Sequence, residues 1–249
     1  MAFKTTQQMI LAAMALSGTG AFAQAAAPAA PEPDYTLSYN VGAVTDYRYR
    51  GISQSRLKPA IQGGIDFSHK SGFYLGTWLS SIKWIKDAGG DASVEWDIYG
   101  GYKGTAGPIG YDVGVLRYQY PSANLAVSPN TTEVYIAGTY GPATLKYSHS
   151  LTDTFGFFDS KGSYYIDGSA TFDLGSGWSV VPHVGYQKIK NTSAASYTDY
   201  SITLGKDFGN GISATAAVVA TDADDTMYFT PSGKFTGRTG LVLGVKYSF

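Results

Sequence analysis

The stretch Thr45–Ser53 reads TDYRYRGIS and places three ionisable residues, Asp46, Arg48 and Arg50, at every second position, with Tyr47 and Tyr49 between them. In an extended chain, side chains at i, i+2 and i+4 share a face, so this reads as a charged row backed by an aromatic row. Further ionisable residues fall on the polar rows of other alternating segments: Glu95, Asp97, Glu133, Lys146, Asp167, Asp199 and Lys246. Opposed rows of charge in a wet constriction polarise it and bias which ions pass. The same residues, as Arg–carboxylate pairs, can instead brace a narrow interior. Both roles use the same pairs, and the residues alone do not choose between them. Arg48 and Arg50 are the favoured selectivity residues, because a guanidinium keeps its charge at every relevant pH.

Other chemistry has weaker support. The three histidines, His69, His149 and His183, fall in a turn, near a loop and in mid-strand, so they are not expected to converge. Ser148-His149-Ser150 brings a serine beside a histidine, but neighbours in a strand face opposite sides, so no nucleophilic triad is expected. DADD (Asp222 to Asp225) lacks the spaced pattern of a calcium loop and reads as a solvated acidic turn. GGYKG (Gly100 to Gly104) sits at a turn and opens no helix, so no phosphate loop is implied. Cysteine is absent, which removes disulfides, thiolate metal sites and a thiol nucleophile. A formal net charge of −1 gives no polybasic surface for nucleic acid. The reading is of a chain with no catalytic residues, no cofactor and no metal.

The elements that would hold the charged rows are strands. Aromatics make up 14% of the chain, glycine counts 31, and charged residues only 15%, a balance suited to strands and turns. The N-terminus reads differently. Lys4 precedes a short apolar run, Met9 to Gly18, and Ala21-Phe22-Ala23 fits a small-x-small cleavage site. Residues 1–23 are therefore expected to be a signal peptide cut between Ala23 and Gln24, marking export. Residues 24–34 follow as an Ala/Pro-rich spacer, and 35–249 form the folded domain.

From Tyr35 onward about twelve segments of roughly ten residues alternate with period two, the length that spans a bilayer as a tilted strand. Leu37, Tyr39, Val41 and Ala43 oppose Ser38, Asn40 and Gly42. Val94, Trp96 and Ile98 oppose Glu95, Asp97 and Tyr99, and Leu241, Leu243, Val245, Tyr247 and Phe249 oppose Gly244, Lys246 and Ser248. Three segments are less regular: SGFYLGTWLS, GYDVGVLRYQY, whose phase slips at Val115-Leu116 through a bulge or an aromatic-lined interior, and ISATAAVVAT. Connections alternate between tight Gly-rich turns and longer polar loops. A soluble meander has no reason to sort them by end, whereas an outer-membrane barrel keeps short turns in the periplasm and long loops outside. The fold predicted is an all-β, antiparallel, up-and-down transmembrane barrel of about twelve strands. Its outward face must be apolar and its lumen can carry charge. On this reading Asp46, Arg48 and Arg50 are luminal, Tyr47 and Tyr49 point outward near the interface, and Tyr99, Tyr135 and Tyr165 narrow the bore.

The block NVGAVTDYRYRGISQSRLKPAIQGGIDFSHKSGFYLGTW (Asn40 to Trp78) resembles the opening of the TorF family of proteobacterial porins. VEWDIYGGYKG, GYDVGVLRYQYP and the closing GVKYSF resemble that family too, so the likeness spans the mature chain. It implies a porin-like outer-membrane protein with a signal peptide and supplies no catalytic residues. Val245, Tyr247 and Phe249 also resemble the terminal-strand signature read by the barrel-assembly machinery.

The expected function is passive diffusion of small polar solutes or ions through a narrow charged lumen, in the outer membrane. Expected partners are outer-membrane lipids, the assembly machinery during insertion and the solutes themselves; the residues do not specify an oligomeric state. The alternative is a non-conducting barrel that binds or braces through its extracellular loops. A soluble periplasmic barrel is a third reading.

Overall fold

The computed structural model describes residues 33–249; the expected signal peptide and all but the last two residues of the spacer lie outside the described residues. Twelve strands form the wall: β1 (Tyr35–Val44), β2 (Ala60–His69), β3 (Phe73–Ser81), β4 (Val94–Ala106), β5 (Ile109–Gln119), β6 (Thr131–Tyr140), β7 (Ala143–Ser150), β8 (in two pieces, Tyr164–Ala170 and Phe172–Gly175), β9 (Trp178–Lys188), β10 (Tyr197–Gly209), β11 (Ile212–Thr221) and β12 (Gly240–Ser248). Each pairs antiparallel with its sequence neighbours. β1 also pairs with β12, Asn40 opposite Ser248 and Val44 opposite Gly244, so the sheet closes on itself. Closure leaves no unpaired sheet edge, which a hydrocarbon surround requires because each orphaned backbone group there costs several kcal/mol.

The connections sort by end as predicted. Turns at 70–72, 107–108, 141–142, 176–177 and 210–211 gather with both described chain ends, and the long loops 45–59, 82–93, 120–130, 151–163, 189–196 and 222–239 gather opposite.

The alternation also holds. Leu241, Leu243, Val245, Tyr247 and Phe249 are exposed on the outer skin, while Lys246 points inward. Aromatics gather near the short-turn rim, with Tyr35 stacked on Phe67, Tyr39 on Phe249 and Phe73 edge-on to Tyr102. These amphipathic rings suit the boundary between hydrocarbon and water. The irregular segments resolve without a phase slip. β5 stays in register from Ile109 to Tyr118, and Leu116 faces inward against an aromatic cluster, so the lined-interior alternative is the one realised. In β3, Phe73, Leu75 and Leu79 face outward, while Tyr74 and Trp78 fill the lumen.

Two expectations fail. GGYKG (100–104) lies within β4 and not at a turn. Tyr47 and Tyr49 do not face lipid; both lie inside the cylinder, with Tyr47 buried. β1 ends at Val44, after which residues 45–59 leave the wall and fold back into the lumen. Period two assigns one face to lipid only while a segment belongs to the wall. A hairpin inside the bore has protein on both faces.

Candidate pore constriction

The inward loop is built on a very short hairpin, Arg48–Tyr49 paired with Ile52–Ser53. Its two turn residues, Arg50 (φ 46°) and Gly51 (φ 78°), both adopt positive φ, as a two-residue hairpin turn with the twist of its strands demands. Glycine takes this conformation freely, but arginine there costs about 1–2 kcal/mol. The contacts of the Arg50 side chain offset that cost.

Asp46 and Arg48 clamp the base of the hairpin. Arg48 Nε donates to Asp46 Oδ2 at 2.5 Å, and its Nη1 donates to the carbonyls of Gly51 (2.9 Å) and Thr236 (3.0 Å). Ser53 Oγ donates to Asp46 Oδ1 at 2.5 Å. At the tip, Arg50 reaches two walls: Nη2 donates to Glu133 Oε2 on β6 at 2.7 Å, and Nη1 donates to Gln187 Oε1 on β9 at 2.5 Å. Its guanidinium also lies 4.3 Å from the Tyr165 ring centre and 4.8 Å from that of Tyr49. Burial works against this charge, but Glu133 together with Tyr49 and Tyr118 outweighs it and raises the Arg50 pKa above that of a free guanidinium.

The flanks are seated by phenols and two apolar clusters. Tyr47 donates to Glu95 Oε1 at 2.5 Å, and Tyr120 donates to Glu95 Oε2 at 3.0 Å. Burial raises the Tyr47 phenol well above its usual range, with Glu95 adding to the shift, so it stays an O–H donor. Tyr49 donates to the Tyr118 hydroxyl at 2.5 Å. Tyr47 packs with Ile82, Ile85, Tyr118 and Tyr120 on one side, and Ile52 packs with Tyr197 and Ala223 on the other. The hairpin thus fills the long-loop half of the bore.

All ten candidate pore residues lie inside the cylinder, but they do not act alike. Asp46 and Arg48 neutralise each other, as do Arg50 and Glu133, so the two arginines are compensated charges. Glu95 is sealed behind the hairpin. Asp97 beside it is buried, with one carboxylate oxygen lacking a hydrogen-bond partner among the described residues. Lys146 Nζ lies 4.2 Å from the Tyr135 ring centre. Asp167 sits 3.7 Å from His183 Nε2, and Asp199 accepts from Tyr165 at 2.8 Å. Lys246 lines the short-turn half, apart from the others. Tyr99, Tyr135 and Tyr165 are inside as expected.

The sequence reading missed several members. Asp66 accepts from Tyr99 (2.5 Å) and Asp112 from Tyr74 (2.6 Å), although both occupy the same alternating polar positions as the residues chosen. His183 lies on the inner face between Asp167 and Asp199, where Val181 and Pro182 obscured the alternation. His149 faces outward against the Tyr147 hydroxyl at 2.9 Å, away from the inward, buried Ser148 and Ser150. Beneath the hairpin tip lies a cavity of about 340 Å³, bordered by Arg50, Lys146, Tyr165, Asp167, His183 and Asp199.

A closed, apolar-skinned cylinder with an ionised interior is the fold of a bacterial porin-like outer-membrane β-barrel. The chain belongs to the family described as "Bacterial protein of unknown function (Gcw_chp)", whose model matches residues 26–249. That match carries this description and not the TorF name. No curated protein matches the chain. Among solved structures, the KdgM porin superposes with a TM-score of 0.55 at 12% identity, covering 86% of this chain and 98% of that one. The KdgM porin in complex with disordered oligogalacturonate gives 0.54 at 11% identity, covering 86% and 98%. The NanC porin gives 0.53 at 11% identity, covering 86% and 99%. At such identities the likeness is one of fold.

Proposed function

We propose that the protein is an outer-membrane channel through which small polar solutes or ions diffuse passively, with the inward hairpin as its constriction. The observation that carries this reading is the cavity of about 340 Å³ retained beneath the hairpin, lined by ionisable groups inside a cylinder with an apolar skin. A bore meant only to be filled would not keep such a space beside so many charges. The TorF-like block at Asn40–Trp78 supports the same reading, as does the solution of the KdgM fold with oligogalacturonate bound. Residues 1–23 are read as the export signal, and Val245, Tyr247 and Phe249 as the assembly signal.

A second reading, a non-conducting barrel, is favoured by the packing of residues 45–59 across the long-loop half of the bore. Planar-bilayer recording separates the two. The channel reading expects stepwise conductance in potassium chloride from purified protein, and enlarged steps once residues 47–54 are replaced by a short Gly/Ser link. Silence from both proteins would sink the channel and leave the non-conducting barrel.

A further inference from the structure

The cavity beneath the hairpin presents charges of both signs that the protein does not pair with one another. Lys146 on β7 and Asp167 on β8 stand directly opposite in register on the inner face. They form no ion pair: the ammonium lies over the Tyr135 ring, with no hydrogen bond and no carboxylate partner among the described residues. Asp167 accepts no hydrogen bond among the described residues and has one carboxylate oxygen 3.7 Å from His183 Nε2. Asp199 accepts one from Tyr165 at 2.8 Å and has its second oxygen 3.6 Å from His183 Nδ1. One wall of the cavity therefore offers a cationic donor, and the adjoining wall offers carboxylate oxygens with free acceptor capacity.

Arg50, at the roof, does not add to this. Its charge is taken up by Glu133 and its remaining reach by Gln187. The rings that border the cavity are also engaged, since Tyr165 and Tyr49 each carry Arg50 on a face and Tyr118 packs edge-on with Tyr49 and Phe155. Charge is what the cavity offers a guest, and stacking platforms are not. A ring-stacked sugar is a poor match. A guest with a single sign would satisfy one wall and face the like charge of the other. A guest with both signs satisfies the two walls at once, through charge-assisted hydrogen bonds that partial burial strengthens. At about 340 Å³ the space falls at the small end of ligand pockets.

We propose that this cavity binds a small zwitterion of the free α-amino-acid class, its carboxylate toward Lys146 and its ammonium toward Asp167 and Asp199. The proposal deepens the channel reading and rests on it for a route of entry, whereas binding itself is measurable without conduction. Four probes of similar size separate the chemistry: alanine has both charges, lactate lacks the ammonium, alaninamide lacks the carboxylate and glycerol lacks both.

Calorimetric titration of the full barrel in detergent is expected to give alanine the tightest binding, with lactate and alaninamide about tenfold weaker, the worth of one charged hydrogen bond, and glycerol about a hundredfold weaker, the worth of two. Lys146→Met should reduce alanine to the level of alaninamide, and Asp167→Asn should reduce it to the level of lactate. Lys146→Arg, which keeps the charge, should retain the preference. Heat-modifiable gel migration checks that each variant is a closed barrel. Equal affinities for the four probes, or an alanine preference that survives both neutral substitutions, overturns the proposal. Conductance in potassium chloride is recorded separately: its loss would remove the channel reading and leave the calorimetric result standing.

Discussion

Arg50 and Glu133, 83 positions apart, meet inside the barrel as a two-pronged ion pair, with Nη1–Oε1 at 3.1 Å and Nη2–Oε2 at 2.7 Å. Both side chains are almost wholly buried, so neither charge is comfortable without the other. Arg50→Ala leaves the buried Glu133 carboxylate without its counter-charge, with only the Ser150 and Tyr118 hydroxyls donating to it among the described residues, and is expected to destabilise the seated hairpin by about 3–5 kcal/mol. The variant should be cut faster by protease within residues 45–59 and should pass larger current steps. Arg50→Lys keeps a charge but loses the planar fork, so it should fall between. Protection of the Ala variant equal to that of the parent would refute the latch.

A compensated pair contributes little to ion selectivity. Arg50→Met combined with Glu133→Leu should leave the reversal potential in a salt gradient unchanged, at little cost in stability. Glu133→Leu alone should shift permeability toward anions, and Arg50→Met alone toward cations. A shift in the double variant as large as in either single one would show that the pair is not neutral in the pore.

Gly51 tests how tightly the tip is seated. A Cβ there would stand 2.7 Å from Asp199 Cβ and would also meet Thr221, in a backbone with φ 78°. Gly209 has nearly the same backbone, φ 77°, but open space around it. Alanine at either position should incur a backbone cost of about 1 kcal/mol or somewhat more. Only Gly51→Ala should also displace the hairpin and alter conductance. Identical behaviour of the two variants in bilayer recording would mean the tip is loosely held.

The facing of the wall is tested by two neighbours. Ile202 is exposed on the outer skin, and Thr203 faces the lumen. Ile202→Arg, near the middle of β10, should destabilise the barrel in vesicles by about 2–4 kcal/mol, and Thr203→Arg far less. Reversible urea unfolding from lipid vesicles measures both. Equal losses would mean that the bore is not wet at this level.

The wall was legible in the sequence. Alternation of Leu241, Leu243, Val245 and Tyr247 with Gly244 and Lys246, and of Val94, Trp96 and Ile98 with Glu95 and Asp97, is a local property of an extended chain, and solvent against lipid decides each face. The sorting of short turns from long loops was likewise a count along the chain, and together they determined the barrel and its inner rows.

The fate of Tyr47 and Tyr49 was a tertiary outcome. Nothing within TDYRYRGIS records that the strand stops at Val44 or that Arg50 will find a carboxylate on β6. Those contacts join residues far apart in sequence and exist only once the wall has closed around them. The closed sheet thus converts two apparent selectivity arginines into a clamp and a latch, and leaves Lys146 and Asp167 opposite each other in register without an ion pair between them. The reason is electrostatic: a charge buried in the bore is stabilised by whichever partner the closed sheet brings within hydrogen-bond reach, and only the assembled cylinder sets that distance.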